Sequence, residues 1–213
     1  MSVWPGRLMR SDLANDILRL TGEHLSLVGS SVGLAILLGV PLGILVARRP
    51  AAWRWLLTLA SVVQTIPSLA LFGFLIPIPW IGGIGKRSVV VALVLYGLLP
   101  ILRNTYVGIL NVDPAVCDSA IAMGMSDNQL LRQVQLPLAA RTIMAGIRVA
   151  TVTTIGTATI AAAIGGGGLG VFIFRGVATV DTTQILAGAI PAAALALVAD
   201  GGLAWLERKL SPA

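Results

Sequence analysis

Two glycine-rich runs carry the residue types that hold phosphate. Gly165, Gly167 and Gly170 in "GGGGLG" satisfy G-x-G-x-x-G, in which backbone N–H groups cradle a pyrophosphate. That fingerprint works between a strand and a helix of a βαβ unit with an acid about twenty residues further on, and here it follows a long apolar stretch with no such acid. "GGIGKRS" sets Gly85 before Lys86 as a P-loop does, yet Trp80 occupies the leading glycine position and Arg87 the Ser/Thr position. Neither run is a nucleotide site. The first reads as a flexible extracellular turn and the second as a glycine-rich connection. His24 and Cys117 are each the single residue of their kind, which excludes an internal disulfide, a multi-cysteine metal site and a histidine cluster. No paired carboxylates are placed for acid–base chemistry, so a membrane-embedded enzyme is disfavoured.

The elements around these residues are apolar. Of 213 residues, 56% are hydrophobic and 11% charged, with mean hydropathy +0.91. A soluble domain would carry roughly a quarter charged residues, so the expected class is an all-α integral membrane protein. Five stretches are long enough to span: Leu25 to Ala47, Trp55 to Pro79, Val89 to Leu110, Ala140 to Ile164 and Ile185 to Leu206. Residues 25–206 therefore form the transmembrane domain, and 207–213 a short polar tail. In the segment 1–24, Leu13, Ile17 and Leu20 recur at helical spacing, with Asp12, Asn15, Asp16 and Arg19 elsewhere; this predicts an interfacial amphipathic helix. The net charge of +6 lies scattered in short loops with few aromatics, as membrane-flanking charge does, and not as a nucleic-acid surface.

Within the spans, Gly29 with Gly33 and Gly39 with Gly43 have the four-residue spacing of close helix packing. Pro67 interrupts the second span beside Gln64 and Ser68; its freed carbonyl needs another partner, and a kink beside a cavity or a plain packing kink would each supply one. Thr151, Thr153, Thr154, Thr157 and Thr159 crowd the fourth span. Each hydroxyl can be satisfied on its own helix, and the functional alternative is a polar stripe, with Gln64, Thr151, Thr154 and Thr157 lining a solute path. Arg103 and Arg148 could snorkel to the cytoplasmic surface or face the interior, and snorkelling is the favoured expectation. Asp200 is the one carboxylate inside a span, which disfavours a proton-coupled carrier holding an acid at the midplane.

Segment 111–137 interrupts this pattern with "DSAIAMGMSDNQLLRQVQLP". Asp113 before Pro114 is a helix start, a short helix follows to about Met123, and Gly124 is suited to a left-handed stop. Ser126 and Gln129 have capping-box spacing for a second helix that ends before Pro137. The small face Ala115, Ser119, Ala120 and Ala122 invites another protein to approach. Spacing alone leaves an ordinary interfacial loop equally open.

Asp118-Ser119-Ala120, then Gly124, Val134 and Leu136-Pro137, resemble the EAA signature of ATP-binding cassette (ABC) importer permeases, with Asp for Glu and Ser for the first Ala. From about residue 20 onward, "EHLSLVGSSVGLAILLGVPLGILVARR", "LLPILRNTYVGILNVDP" and "LPLAARTIMAGIRVATVTTIGTATIAAAIGGGGLG" are similar to permeases of osmoprotectant importers for glycine betaine, carnitine, choline or proline. The resemblance implies a type I importer bundle of about five transmembrane helices with cytoplasmic coupling helices, in the bacterial inner membrane. It assigns ATPase coupling to Asp118, Ser119, Ala120, Gly124, Leu136 and Pro137. Implied partners are ABC ATPase subunits, a second copy or a related permease, an extracytoplasmic binding protein and membrane lipid. ATP would bind the partner, leaving this chain without catalytic residues, metal or cofactor. The resemblance also sets the orientation, since basic residues divide almost evenly: Arg48, Arg49, Arg54, Arg132, Arg141, Arg208 and Lys209 on the side of segment 111–137, and Arg7, Arg10, Arg19, Lys86, Arg87 and Arg175 opposite. A stand-alone secondary transporter or channel is the alternative.

Overall fold

The computed structural model describes the backbone of residues 5–81 and 83–210 and the side chains of 13–51, 53–81 and 83–210. Residues 1–4 and 211–213 of the terminal segments, and the side chains of Arg7, Arg10 and Asp12, lie outside the described residues. Among the described residues ten α-helices follow in order: α1 (Pro5–Arg48), α2 (Pro50–Trp53), α3 (Trp55–Thr65), α4 (Ser68–Leu75), α5 (Lys86–Leu110), α6 (Pro114–Ala122), α7 (Asp127–Gln129), α8 (Leu136–Ile160), α9 (Gly170–Thr179) and α10 (Thr182–Lys209). A π-helical turn, Leu130–Gln135, joins α7 to α8, and a 3₁₀ turn, Ala161–Ile164, ends α8. Four of the described helices are long and apolar enough to cross a membrane, and the broken pair α3 and α4 brings the number to five if its two pieces make one span.

The chain divides into two compact units. One contains the residues up to Ser31, Pro67–Leu93 and Thr154–Leu197. Its core is Leu20, Leu169, Phe172 and Ala192, with Leu13 and Ile17 packed against it. The stripe expected to lie on a membrane surface thus covers its own chain, and α1 carries that segment and the first span as one unbroken helix. The "GGGGLG" run is a packed turn and not an open one. A Cβ at Gly166 would fall 2.7 Å from Val89 Cγ2, and at Gly168 3.0 Å from His24 Nδ1, while Gly168 takes φ +74° and donates its N–H to Glu23 Oε2. Absent side chains are what let this turn close on α1 and α5. The sequence reading also missed α9, whose ten residues are too few to register as a span. Asp181 caps the next helix: its carboxylate accepts from the N–H groups of Thr183 and Gln184, and the Gln184 bond foremost holds it below the usual carboxylate range.

The other unit contains Val32–Ile66, Val94–Thr153 and the residues from Val198 on. Ala35, Ile101 and Ala150 form one cluster, and Ile109, Leu131 and Ala139 another. Gly39 and Gly43 let α1 approach α5; a Cβ on Gly43 would lie 2.6 Å from Thr105 Cβ. Gly29 and Gly33 differ from expectation, because a Cβ at either meets nothing within 4 Å. Equal spacing therefore carries unequal packing. The expected kink at Pro67 is a full break, with Ile66 extended at φ −73°, ψ 127°. Side chains near the two prolines bridge α3 and α5. Pro100 cannot donate to Tyr96 O inside α5, so Gln64 Nε2 donates to that carbonyl at 2.9 Å, while the Tyr96 hydroxyl donates to Ile66 O at the break.

Candidate functional site

Segment 111–137 forms as a helix, a glycine turn and a second helix. Asp113 Oδ1 accepts from Ala115 N at 2.9 Å, Pro114 fills the first helical position, and Gly124 stops the run at φ +86°. Gln129 Oε1 accepts from Ser126 N at 2.8 Å and from Ser126 Oγ at 3.0 Å, which starts α7. The second helix does not end before Pro137. Leu136 N donates five residues back to Leu131 O, and this wider π turn gives the proline ring room, so the chain passes into α8 unbroken.

The segment is tied to its own unit. Arg48, at the end of α1, donates to Asn128 Oδ1 at 3.0 Å and lies 4.0 Å from Asp127 Oδ2. Arg48, Asp127, Pro114, Cys117 and Gln135 border a cleft of about 350 Å³ between α1, α6 and the π turn. Of the six residues assigned to coupling, Asp118, Ser119, Gly124 and Pro137 are exposed. Asp118 has no partner among the described residues, whereas Ser119 Oγ donates to Ala115 O at 2.7 Å. Ala120 is buried in its own chain, and half-buried Leu136 packs on Ile109, Leu131 and Ala139. These two hold the segment and do not present it. The outward face is more apolar than its small residues suggested: Val116, Ile121 and Met123 are all exposed.

The polar residues of the spans separate by role. Thr151, Thr153 and Thr159 donate to carbonyls three or four residues back on their own helix. Thr154 is buried with no hydrogen-bond partner for Oγ1, and Thr157 is half-buried. Gln64 is exposed, but its amide belongs to the Tyr96 carbonyl. Arg148 does not snorkel. Its Nε and Nη2 donate to the two oxygens of Asp200 at 2.6 and 3.0 Å, and Nη1 reaches Glu207 Oε2 at 3.4 Å. Glu207 also lies 3.9 Å from Arg141 Nε. A signal for this ladder existed: Arg141 and Arg148 are seven apart, as are Asp200 and Glu207, so each pair recurs on one helix face after two turns. Among the described residues, no three His, Cys, Asp or Glu side chains are grouped to hold a metal ion.

Residues 39–212 match the family of binding-protein-dependent transport system inner membrane components. The chain belongs to that family. This transport component is 47% identical to a carnitine transport permease of Listeria monocytogenes over 89% of this chain and 84% of that protein. It is 47% identical to a choline transport system permease of Bacillus subtilis (90% and 84%), and 43% identical to an osmoprotectant import permease of Salmonella typhimurium (94% and 94%). Its fold is that of a chain of the inward-facing methionine ABC transporter MetNI, with TM-score 0.84 at 20% identity over 92% and 97% of the two chains. An amino acid ABC transporter gives TM-score 0.73 at 18% identity over 98% and 100%. The transport component is thus a multi-pass inner-membrane protein of the type I importer fold.

Proposed function

We propose that this chain is the permease of an ABC importer for osmoprotectants, small quaternary amines or related amino-acid derivatives. Two such subunits, identical or paired with a related permease, enclose the path. Separate ATPase subunits grip segment 111–137 from the cytoplasm, and an extracytoplasmic binding protein delivers the solute. ATP is bound and hydrolysed on the partner, and this chain needs no cofactor of its own. The observation that carries the reading is the anchored segment itself: Arg48 and the buried Ala120 and Leu131 fix its inner side, while Val116, Ile121 and Met123 face outward. An apolar surface on a short rigid arm suits a packed protein contact that passes movement between two states. The relatives named for carnitine, choline and osmoprotectant transport support the solute class.

Gly124→Leu tests the coupling role, since φ +86° tolerates few side chains. In proteoliposomes holding permease, ATPase and binding protein, this variant should insert normally yet lose solute-stimulated ATP hydrolysis and uptake. Wild-type stimulation in the variant would reject the role. ATP-independent uptake by the permease alone would favour the secondary-transporter reading.

A further inference from the structure

We propose that a cleft between α3 and α5, built around Arg103, receives the carboxylate end of a zwitterionic methylammonium solute as it crosses. The inference rests on the permease reading above and adds the residues that tell one solute from another. Arg103 lies seven residues before the end of α5 at Leu110, well inside an apolar span. Among the described residues no ion pair or hydrogen bond reaches its guanidinium, in contrast to Arg148. A charge in that position, left without a partner of its own, marks a place where something else supplies one.

The surroundings specify the chemistry. The cleft is about 340 Å³, with Leu57, Thr58 and Ser61 on the α3 side and Leu99, Arg103 and Tyr106 on the α5 side. Pockets for small ligands begin at roughly this size. No carboxylate lines it, so the guanidinium fork stays open to a bidentate partner. Tyr106 follows Arg103 by three residues and shares its helix face, offering a ring to a quaternary ammonium. The Ser61 hydroxyl donates to Leu57 O at 2.8 Å, which leaves its oxygen as an acceptor toward the cleft. The walls are braced one turn away, where Gln64 Nε2 on α3 donates to Tyr96 O on α5 and the Tyr96 hydroxyl donates to Ile66 O at the end of α3. A guanidinium and an aromatic ring side by side match the two ends of a betaine. A cation such as choline would find the ring but meet a like charge at Arg103.

The test uses the complete reconstituted transporter and two probes that share a trimethylammonium head, glycine betaine and choline. Arg103→Gln should lower ATP-driven betaine uptake about ten-fold or more, the worth of a charge-assisted pair, and leave choline uptake equal or raised. Arg103→Lys keeps the charge and loses the fork, so the betaine KM should rise several-fold with choline unchanged; this variant carries the test if the glutamine variant fails to assemble. Tyr106→Ala should weaken both solutes together. Equal losses of betaine and choline in either Arg103 variant, or no loss of betaine, overturn the site. Equal losses that track the anionic lipid content of the vesicles would overturn it in favour of a lipid phosphate on Arg103. A wild type that imports neither solute with ATP refutes the solute class itself, a failure distinct from that of the site.

Discussion

Arg103 and Arg148 are alike in the sequence. Each is an arginine about two turns inside an apolar stretch, where a long side chain can reach back to the membrane surface. Their surroundings differ completely. Arg148 is clamped by both oxygens of Asp200 and touched by Glu207, whereas Arg103 opens onto a cleft with no acid in its walls. One charge is matched within the fold and so serves structure. The other is left open, and the proposal above gives it a solute as its occupant. The lesson is that an intramembrane charge is understood through its partner, and the partner can sit fifty residues away in the chain.

That contrast can be broken by substitution. Asp200→Asn should have the largest effect on stability, because it removes the two short charge-assisted bonds and leaves the Arg148 guanidinium only its longer contact to Glu207. Thermal midpoint in detergent should fall further than for any other single change at the ladder. Combining it with Arg148→Gln should recover most of the loss, since a neutral pair has no stranded charge; failure to recover would mean that the residues act separately. Glu207→Gln should cost only about 1–2 °C, because its contacts are longer and Arg141 shares them. Arg103→Leu is expected to leave the midpoint within about 2 °C of wild type, since no protein partner is lost. A large drop there would show Arg103 to be structural and erase the contrast with Arg148.

Local chemistry made much of segment 111–137 legible before any fold was known. Asp113-Pro114, Gly124 and the Ser126–Gln129 pair act over three or four residues, and each takes the place expected of it. Pro137 was misread because proline usually ends a helix, and only the π turn ahead of it shows how the chain continues. Ala120 and Leu136 were grouped with exposed neighbours for a related reason. Which face of a short segment is buried depends on what it lies against, for Leu136 the cluster of Ile109, Leu131 and Ala139. Gly29, Gly33, Gly39 and Gly43 share one spacing, yet only the last two meet a neighbouring helix.

That the chain is helical and membrane-spanning is legible from its residues, because hydropathy and length act locally and the bilayer leaves few alternatives for backbone polar groups. So is where the spans are interrupted, through proline, glycine and caps. Only the packed fold sets the bonds from Gln64 to the Tyr96 carbonyl and from the Tyr96 hydroxyl to Ile66 O, the closing of "GGGGLG" against Glu23 and His24, and the unequal surroundings of two arginines. Each depends on which residues meet across helices. Hydrogen bonds and ion pairs act over about 3 Å, and sequence spacing does not encode that distance between separate elements.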